Sequence, residues 1–154
     1  MRKIVVLLFL SIIIYTACEK DDFCTQNPVT PNLVLEFYDA NNRETLKNAT
    51  SLYIWAENAQ ENDSIFENIS ANSLILPLNQ FATETVYNFS QNDVVNQFTI
   101  KYTTEDVYVS RSCGFRVIFN DVSFESDNAW ISSITPQTLT TIDNQNETHV
   151  QIFH

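Results

Sequence analysis

Glycine is nearly missing from this chain: Gly114 is the only one in 154 residues. A Walker loop, a dinucleotide-binding fingerprint, a nucleophile elbow and an EF-hand loop all need glycine at set places, where backbone must approach a ligand or adopt positive φ. None can be built here. Histidine is almost as scarce, with only His149 and His154. Their spacing superficially fits the histidine pair of a zinc finger. On a strand, however, residues five apart point to opposite faces, and no closely spaced cysteine pair accompanies them. Both are therefore read as surface or terminal side chains. Composition alone admits a Ser-His-Asp triad, but no serine sits in a recognisable activating turn. The sequence assigns no catalytic residue, no metal ligand and no cofactor.

Positive charge is the next shortage. Eight Lys and Arg face 19 Asp and Glu, a formal net charge of −11. Arg2 and Lys3 precede the first acid, Glu19, so the chain without its N-terminal segment is more acidic still. Such a protein repels phosphate backbones and anionic headgroups, which argues against nucleic acid as a partner and against adsorption through a basic patch. Long apolar runs are also lacking. The longest, from Ile4 to Ile14, is broken only by Ser11; at about eleven residues it is too short to span a membrane, which takes about twenty, and suits a signal-peptide core.

What is present begins with Cys18. Behind Arg2-Lys3 and the apolar run, Thr16-Ala17 sits directly before Cys18. This arrangement resembles the lipobox of bacterial lipoproteins. The resemblance implies cleavage after a signal peptide of residues 1–17 and a diacylglyceryl group on the Cys18 thiol. Several acyl chains, at about 0.8 kcal/mol per buried methylene, anchor far more firmly than one myristoyl chain. The next residues, Glu19, Lys20, Asp21 and Asp22, resemble the lipoprotein export signal of Bacteroidota. That resemblance implies the outer membrane and display at the cell surface, with a periplasm-facing location as the alternative. Composition alone admits a plainer pair of readings: a secretory leader followed by a disulfide cysteine, and a solvated charged tether.

Residues 18–32 read as an acidic tether stiffened at its end by Pro28 and Pro31, and residues 33–154 as one domain large enough to bury its own core. Two further cysteines remain, Cys24 and Cys113. Export puts them in an oxidising space, where an even pair is expected to form a disulfide. The alternative is a redox or metal site, for which no Cys-x-x-Cys exists. A bridge would close a loop of about 90 residues, which in the chain-entropy model stabilises by about 4 to 5 kcal/mol.

The body alternates with period two. Leu33, Leu35 and Phe37 share one face, and β-branched and aromatic residues recur in 52–55, 74–76, 85–89, 98–102, 107–111, 115–119 and 150–153, with Trp130-Ile131 as a further candidate. Eight or nine short strands without a long 3.6-residue period predict an all-β domain, an antiparallel β-sandwich of about eight strands, immunoglobulin-like or related. With one glycine, turns needing positive φ must use asparagine and aspartate, and Asn41-Asn42, Asn92-Asp93 and Asn120-Asp121 stand between the predicted strands.

The carboxylates form two groups, Glu57, Glu61, Asp63 and Glu67, then Asp121, Glu125 and Asp127. A glycosidase pair needs a cleft that fixes the separation, which thin loops on a small domain do not offer. The groups are read as solvated loops, with weak calcium binding as the alternative. Arg111 and Arg116 bracket Cys113-Gly114; pairing with nearby acids is the expected role, an anion-binding spot the alternative. Five Asn-x-Ser/Thr sequons are attributed to the abundance of asparagine. Asp63-Ser64-Ile65 resembles the short O-glycosylation motif of Bacteroidota exported proteins, which marks Ser64 as a candidate glycan site.

The Cys-Glu-Lys-Asp-Asp-Phe-Cys start, Phe37-Tyr38-Asp39, Ser110-Arg111-Ser112-Cys113-Gly114-Phe115 and the His149–His154 ending together resemble an uncharacterised Bacteroidota lipoprotein family, a domain of unknown function. The resemblance implies an all-β lipoprotein with a shared cysteine pair and brings no catalytic residues. The functional expectation is a non-enzymatic outer-membrane lipoprotein, membrane-bound through its lipid, that binds or supports another envelope component such as an outer-membrane β-barrel. The alternative is a glycan- or peptide-binding module using Tyr53, Trp55 or Trp130 as stacking platforms. A small hydrolase is a remote third.

Overall fold

The computed structural model describes Cys24 and residues 29–154. The assignments made for residues 1–17, for Cys18 and for Glu19, Lys20, Asp21 and Asp22 lie outside the described residues. The described strands are β1 (Leu33–Tyr38), β2 (Ala49–Ala56), β3 (Phe66–Ala71), β4 (Ser73–Leu76), β5 (Glu84–Gln91), β6 (Val94–Ser110), β7 (Gly114–Ser126), β8 (Ser133–Thr135), β9 (Thr138–Ile142) and β10 (Val150–Phe153). A four-stranded sheet runs β4-β1-β10-β8 and a six-stranded sheet runs β3-β2-β5-β6-β7-β9. The two share one apolar core, so the all-β sandwich read from the alternation is the fold.

Chain contacts divide the described residues into two compact units, residues 30–107 with 117–154, and Cys24 and Val29 with residues 108–116. The larger holds the sandwich core. Leu33, Leu35 and Phe37 of β1 are fully buried, as are Leu52 and Ile54 of β2, Phe89 of β5, Phe98 and Ile100 of β6 and Ile152 of β10. Each set is spaced by two, as a half-buried strand requires. In β6 the alternation runs through Asn96, Phe98, Ile100 and Tyr102 and then stops, with residues 103–106 all exposed.

Several details differ from the sequence reading. Not all pairing is antiparallel: β1 and β10 run parallel, with Leu35 opposite Val150 and Phe37 opposite Ile152. The segments 98–102 and 107–111 belong to the single strand β6. Strands β3, β8 and β9 carry weak alternation and were not expected. Trp130-Ile131 is not a strand; it lies in the connection between β7 and β8. Asn92 (φ 50°) and Asp93 (φ 64°) supply the two positive-φ residues of a hairpin that opposes Gln91 to Val94, which fits a type I′ turn. Asp121 (φ 52°) also has positive φ but sits inside β7. Asn41 and Asn42 instead donate their N–H groups to Asp39 Oδ1 at 2.7 and 3.0 Å.

The connection carrying Trp130 is held by Asn96, a polar residue with no exposed surface. Its Nδ2 donates to Ser126 Oγ at 2.9 Å and to the Gln97 carbonyl at 3.0 Å. Its Oδ1 accepts from the N–H groups of Ile131 and Trp130 at 3.3 and 3.4 Å. A buried amide satisfied on both ends is stabilising, whereas its removal strands its partners without water. Asn96→Ala is expected to lower the unfolding free energy by about 3 kcal/mol, read from urea denaturation, and Asn96→Asp by no less. An unchanged midpoint would show that the loop finds other partners.

Candidate functional site

The feature that separates this sandwich from a generic one lies in the smaller unit. Strand β6 ends at Ser110 and β7 begins at Gly114, and Arg111-Ser112-Cys113 makes the turn between them. Ser110 Oγ accepts the Cys113 N–H at 3.0 Å. Gly114 has φ +73°, and a Cβ built there would meet nothing within 4 Å. Backbone conformation, not crowding, therefore accounts for the one glycine. Cys113 is bonded to Cys24 across a sequence separation of 89, with Cα atoms 4.8 Å apart, as the pairing expectation requires. Beside it, Tyr108 and Phe115 are 60% and 64% exposed, and their rings meet edge to face with centroids 5.4 Å apart. Arg111 is exposed, and residues 108–116 contain no acid. Severing the bridge with the Cys24→Ser/Cys113→Ser pair is expected to lower stability by about 4 kcal/mol, measured as the urea midpoint against the oxidised protein.

A second surface belongs to the larger unit. An open groove of ≈ 510 Å³ has Ala56, Ile65, Leu78, Ala82 and Val86 among its apolar walls and Glu57 and Glu84 among its polar ones. Its base is fixed by Tyr87, whose hydroxyl donates to the Pro77 carbonyl. Burial, and then the neighbouring Tyr102, push the Tyr87 phenol up to about 12, so it is a proton-bearing support and not a base. On the adjoining segment Phe81 is 98% exposed. Nothing in the local sequence alternation marked this groove, because it is built from the end of β2, Ile65, the 77–82 connection and β5 together.

Of the carboxylates expected to be solvated, Glu125 and Asp127 have hydrogen-bond partners. Glu125 receives Lys101 Nζ at 2.7 and 2.8 Å. Asp127 accepts the Gln97 N–H at 3.0 Å and the Ala129 N–H at 3.2 Å. Glu61, Glu67 and Asp93 surround a shallow depression with Tyr53, and Asp63 and Asp121 are exposed. Among the described residues no group of three or more His, Cys, Asp or Glu is arranged to hold a metal ion. Ser64 is half-buried at the end of the 3-10 turn Glu61–Asp63, and its Oγ donates to the Glu61 carbonyl at 2.5 Å.

The aromatics named as stacking platforms separate. Trp55 is buried, and Trp130 is half-buried with its Nε1 donating to the Phe89 carbonyl at 2.9 Å. Neither is free to stack on a ligand; Tyr53 remains half-buried beside the acidic depression.

The two histidines, expected at the surface, are drawn into the body. His149 is 6% exposed; its Nδ1 accepts the Val34 N–H at 2.9 Å, and its own N–H donates to the Val34 carbonyl at 2.9 Å. Accepting at Nδ1 requires a neutral ring with its proton on Nε2. Nε2 is buried without a full hydrogen-bond partner, although the Asn144 backbone lies near enough to favour its proton. The His154 ring stands edge-on to Phe37 and Trp130, with centroids 5.7 and 5.5 Å away. Desolvation is the main cause that lowers both imidazole pKa values below the usual 6.5; nearby Asp143 and Glu147 oppose it at His149, and Lys47 adds to it at His154. The signal missed was the ending itself, where His149 and His154 flank a strand that is buried.

A histidine whose folded pKa is depressed binds its proton more readily when unfolded. Its contribution is therefore complete above the unfolded value near 6.5 and is lost as pH falls through the folded value. Urea midpoints are expected to fall between about pH 6.5 and pH 5, and His149→Gln to flatten part of that slope while lowering stability at neutral pH. A midpoint independent of pH across that window would contradict the neutral-acceptor geometry.

The fold and this geometry define a class: an acidic β-sandwich of four and six strands whose β6–β7 turn is disulfide-bonded to the segment before the first strand. The chain belongs to a family of unknown function (DUF6452), whose model matches residues 51–154. That stretch contains Cys113 and every strand except β1 and the first residues of β2. No curated protein and no solved structure matches the chain.

Proposed function

We propose that this protein is a Bacteroidota lipoprotein, held on the outer membrane through lipid on Cys18 and displayed at the cell surface, where its domain acts as a non-enzymatic binding or accessory module for another envelope component. One observation supports it most: the Cys24–Cys113 bond fastens the domain to the chain only six residues beyond Cys18. An anchored domain on so short a lead is confined to the plane of its neighbours, and confinement raises the effective concentration of even a weak interface. An outer-membrane β-barrel fits that role, since it presents its own exposed loops at the same height.

A second reading is a glycan- or peptide-binding module. It is favoured by the apolar groove beside Phe81, because a fully exposed phenylalanine next to a concave apolar surface is a ready stacking or packing site. The two are separated by protease treatment of intact cells followed by crosslinking and mass spectrometry of the solubilised outer membrane. The accessory role predicts cleavage of the domain on intact cells and recovery of crosslinks to a β-barrel protein. Protection from protease would move the domain to the periplasmic face, and recovery of the protein alone would sink the accessory role.

A further inference from the structure

The β6–β7 turn breaks the rules that govern the rest of the molecule. The chain carries a formal charge of −11, yet residues 108–116 hold Arg111 and Arg116 and no acid. Large apolar side chains elsewhere are mostly inside, yet Tyr108 and Phe115 stand 60% and 64% exposed as a matched ring pair. An aromatic pair left in water beside arginine is the composition of a membrane-interface contact: amphipathic rings suit the headgroup layer, and guanidinium pairs with lipid phosphate.

The covalent chain decides which surface that pair can meet. Cys113 is bonded to Cys24, and Cys24 is six residues from Cys18. Six residues reach about 20 Å at full extension. A turn tied at that distance from an acylated residue cannot leave the neighbourhood of the bilayer that holds the acyl chains. Resting on the reading of Cys18 as the lipid anchor, we propose that the disulfide-tied turn 108–116 lies on the bilayer, with Tyr108 and Phe115 seated in its headgroup layer and Arg111 against lipid phosphate. The contact needs no basic patch on the domain as a whole, because the anchor supplies the affinity.

The test uses the full-length protein carrying Phe115→Trp, isolated from membranes and reconstituted in vesicles of phosphatidylcholine and phosphatidylglycerol, with or without bromine on the phosphatidylcholine acyl chains. Tyr108→Trp serves as a second reporter, and the parent protein supplies the background of Trp55 and Trp130. The added emission is expected to drop by roughly half in brominated vesicles, as for a ring at the headgroup and acyl boundary. Reduction of the disulfide is expected to restore most of it. Mass spectrometry of the same preparation reads the Cys18 lipid. Lipid on Cys18 with no bromine-dependent loss at either reporter would overturn the seating of the turn and leave the anchor intact. Absence of lipid on Cys18 would overturn the anchor reading itself. Full quenching that survives reduction would overturn the part given to the disulfide, and a photocrosslinker at position 115 that captures protein in place of lipid would assign the turn to a protein partner.

Discussion

The pairing of β1 with β10 is the contact on which the sandwich depends. It joins residues 33–38 to residues 150–153 in parallel register, so nearly the whole chain serves as the crossover between them. The pair occupies the centre of the four-stranded sheet, with β4 on one side and β8 on the other. Those flanking strands have four and three residues, too few to hold a sheet without it. The pair also carries Leu33, Leu35, Phe37, Val150 and Ile152, all fully buried; at about 1.5–3 kcal/mol for each large apolar side chain, its loss removes one wall of the core.

Backbone and side chain cooperate to lock that pairing at both ends. At one end His149 exchanges two hydrogen bonds with the Val34 backbone, one of them through its ring. At the other, the His154 N–H donates to Tyr38, while its carbonyl accepts from the Ala40 N–H and from Lys47 Nζ. Arg43 adds a lid: its guanidinium sits 3.7 Å from the centre of the Phe153 ring and donates to Ser133 and Thr135 hydroxyls on β8. The two histidines thus flank the buried strand β10, His149 bonded to Val34 and His154 packed edge-on against Phe37 and Trp130.

This division between strands and joints explains what the sequence made legible. Period-two alternation is written in single residues, so β1, β2, β5 and β10 could be read directly from Leu33, Ile54, Phe89 and Ile152. Strands β8 and β9 could not. Their residues, Ser133–Thr135 and Thr138–Ile142, are largely threonine and serine on sheet margins, and they are strands because Gln151 and Phe119 lie opposite them. Trp130-Ile131 shows the converse: strong β propensity, overruled because Asn96 takes both of their N–H groups. The cysteine pair was legible from parity, once Cys18 was set apart, together with the export expected of the leader. The groove walled by Ala56, Ile65, Leu78 and Val86 was not, since its walls come from segments separated in sequence.

The shortage of glycine connects turn chemistry to charge. Where other proteins bend at glycine, this one bends around side-chain acceptors: Asp39 takes two backbone N–H groups, Asp127 that of Ala129, Asn79 that of Phe81, and Asn144 that of Asn146. Those N–H groups hold the Asp39 carboxyl below the usual carboxylate range, the Asn42 bond foremost. Two of the acids, Asp39 and Asp127, are thus built into the way the chain turns. The β6–β7 turn is the exception that this pattern isolates. There the turn uses the sole glycine and a serine hydroxyl, the acids are gone, and arginine and exposed aromatic rings take their place. At 108–116 the turn is made without an acid, and the disulfide fixes that same turn to the chain leading from Cys18.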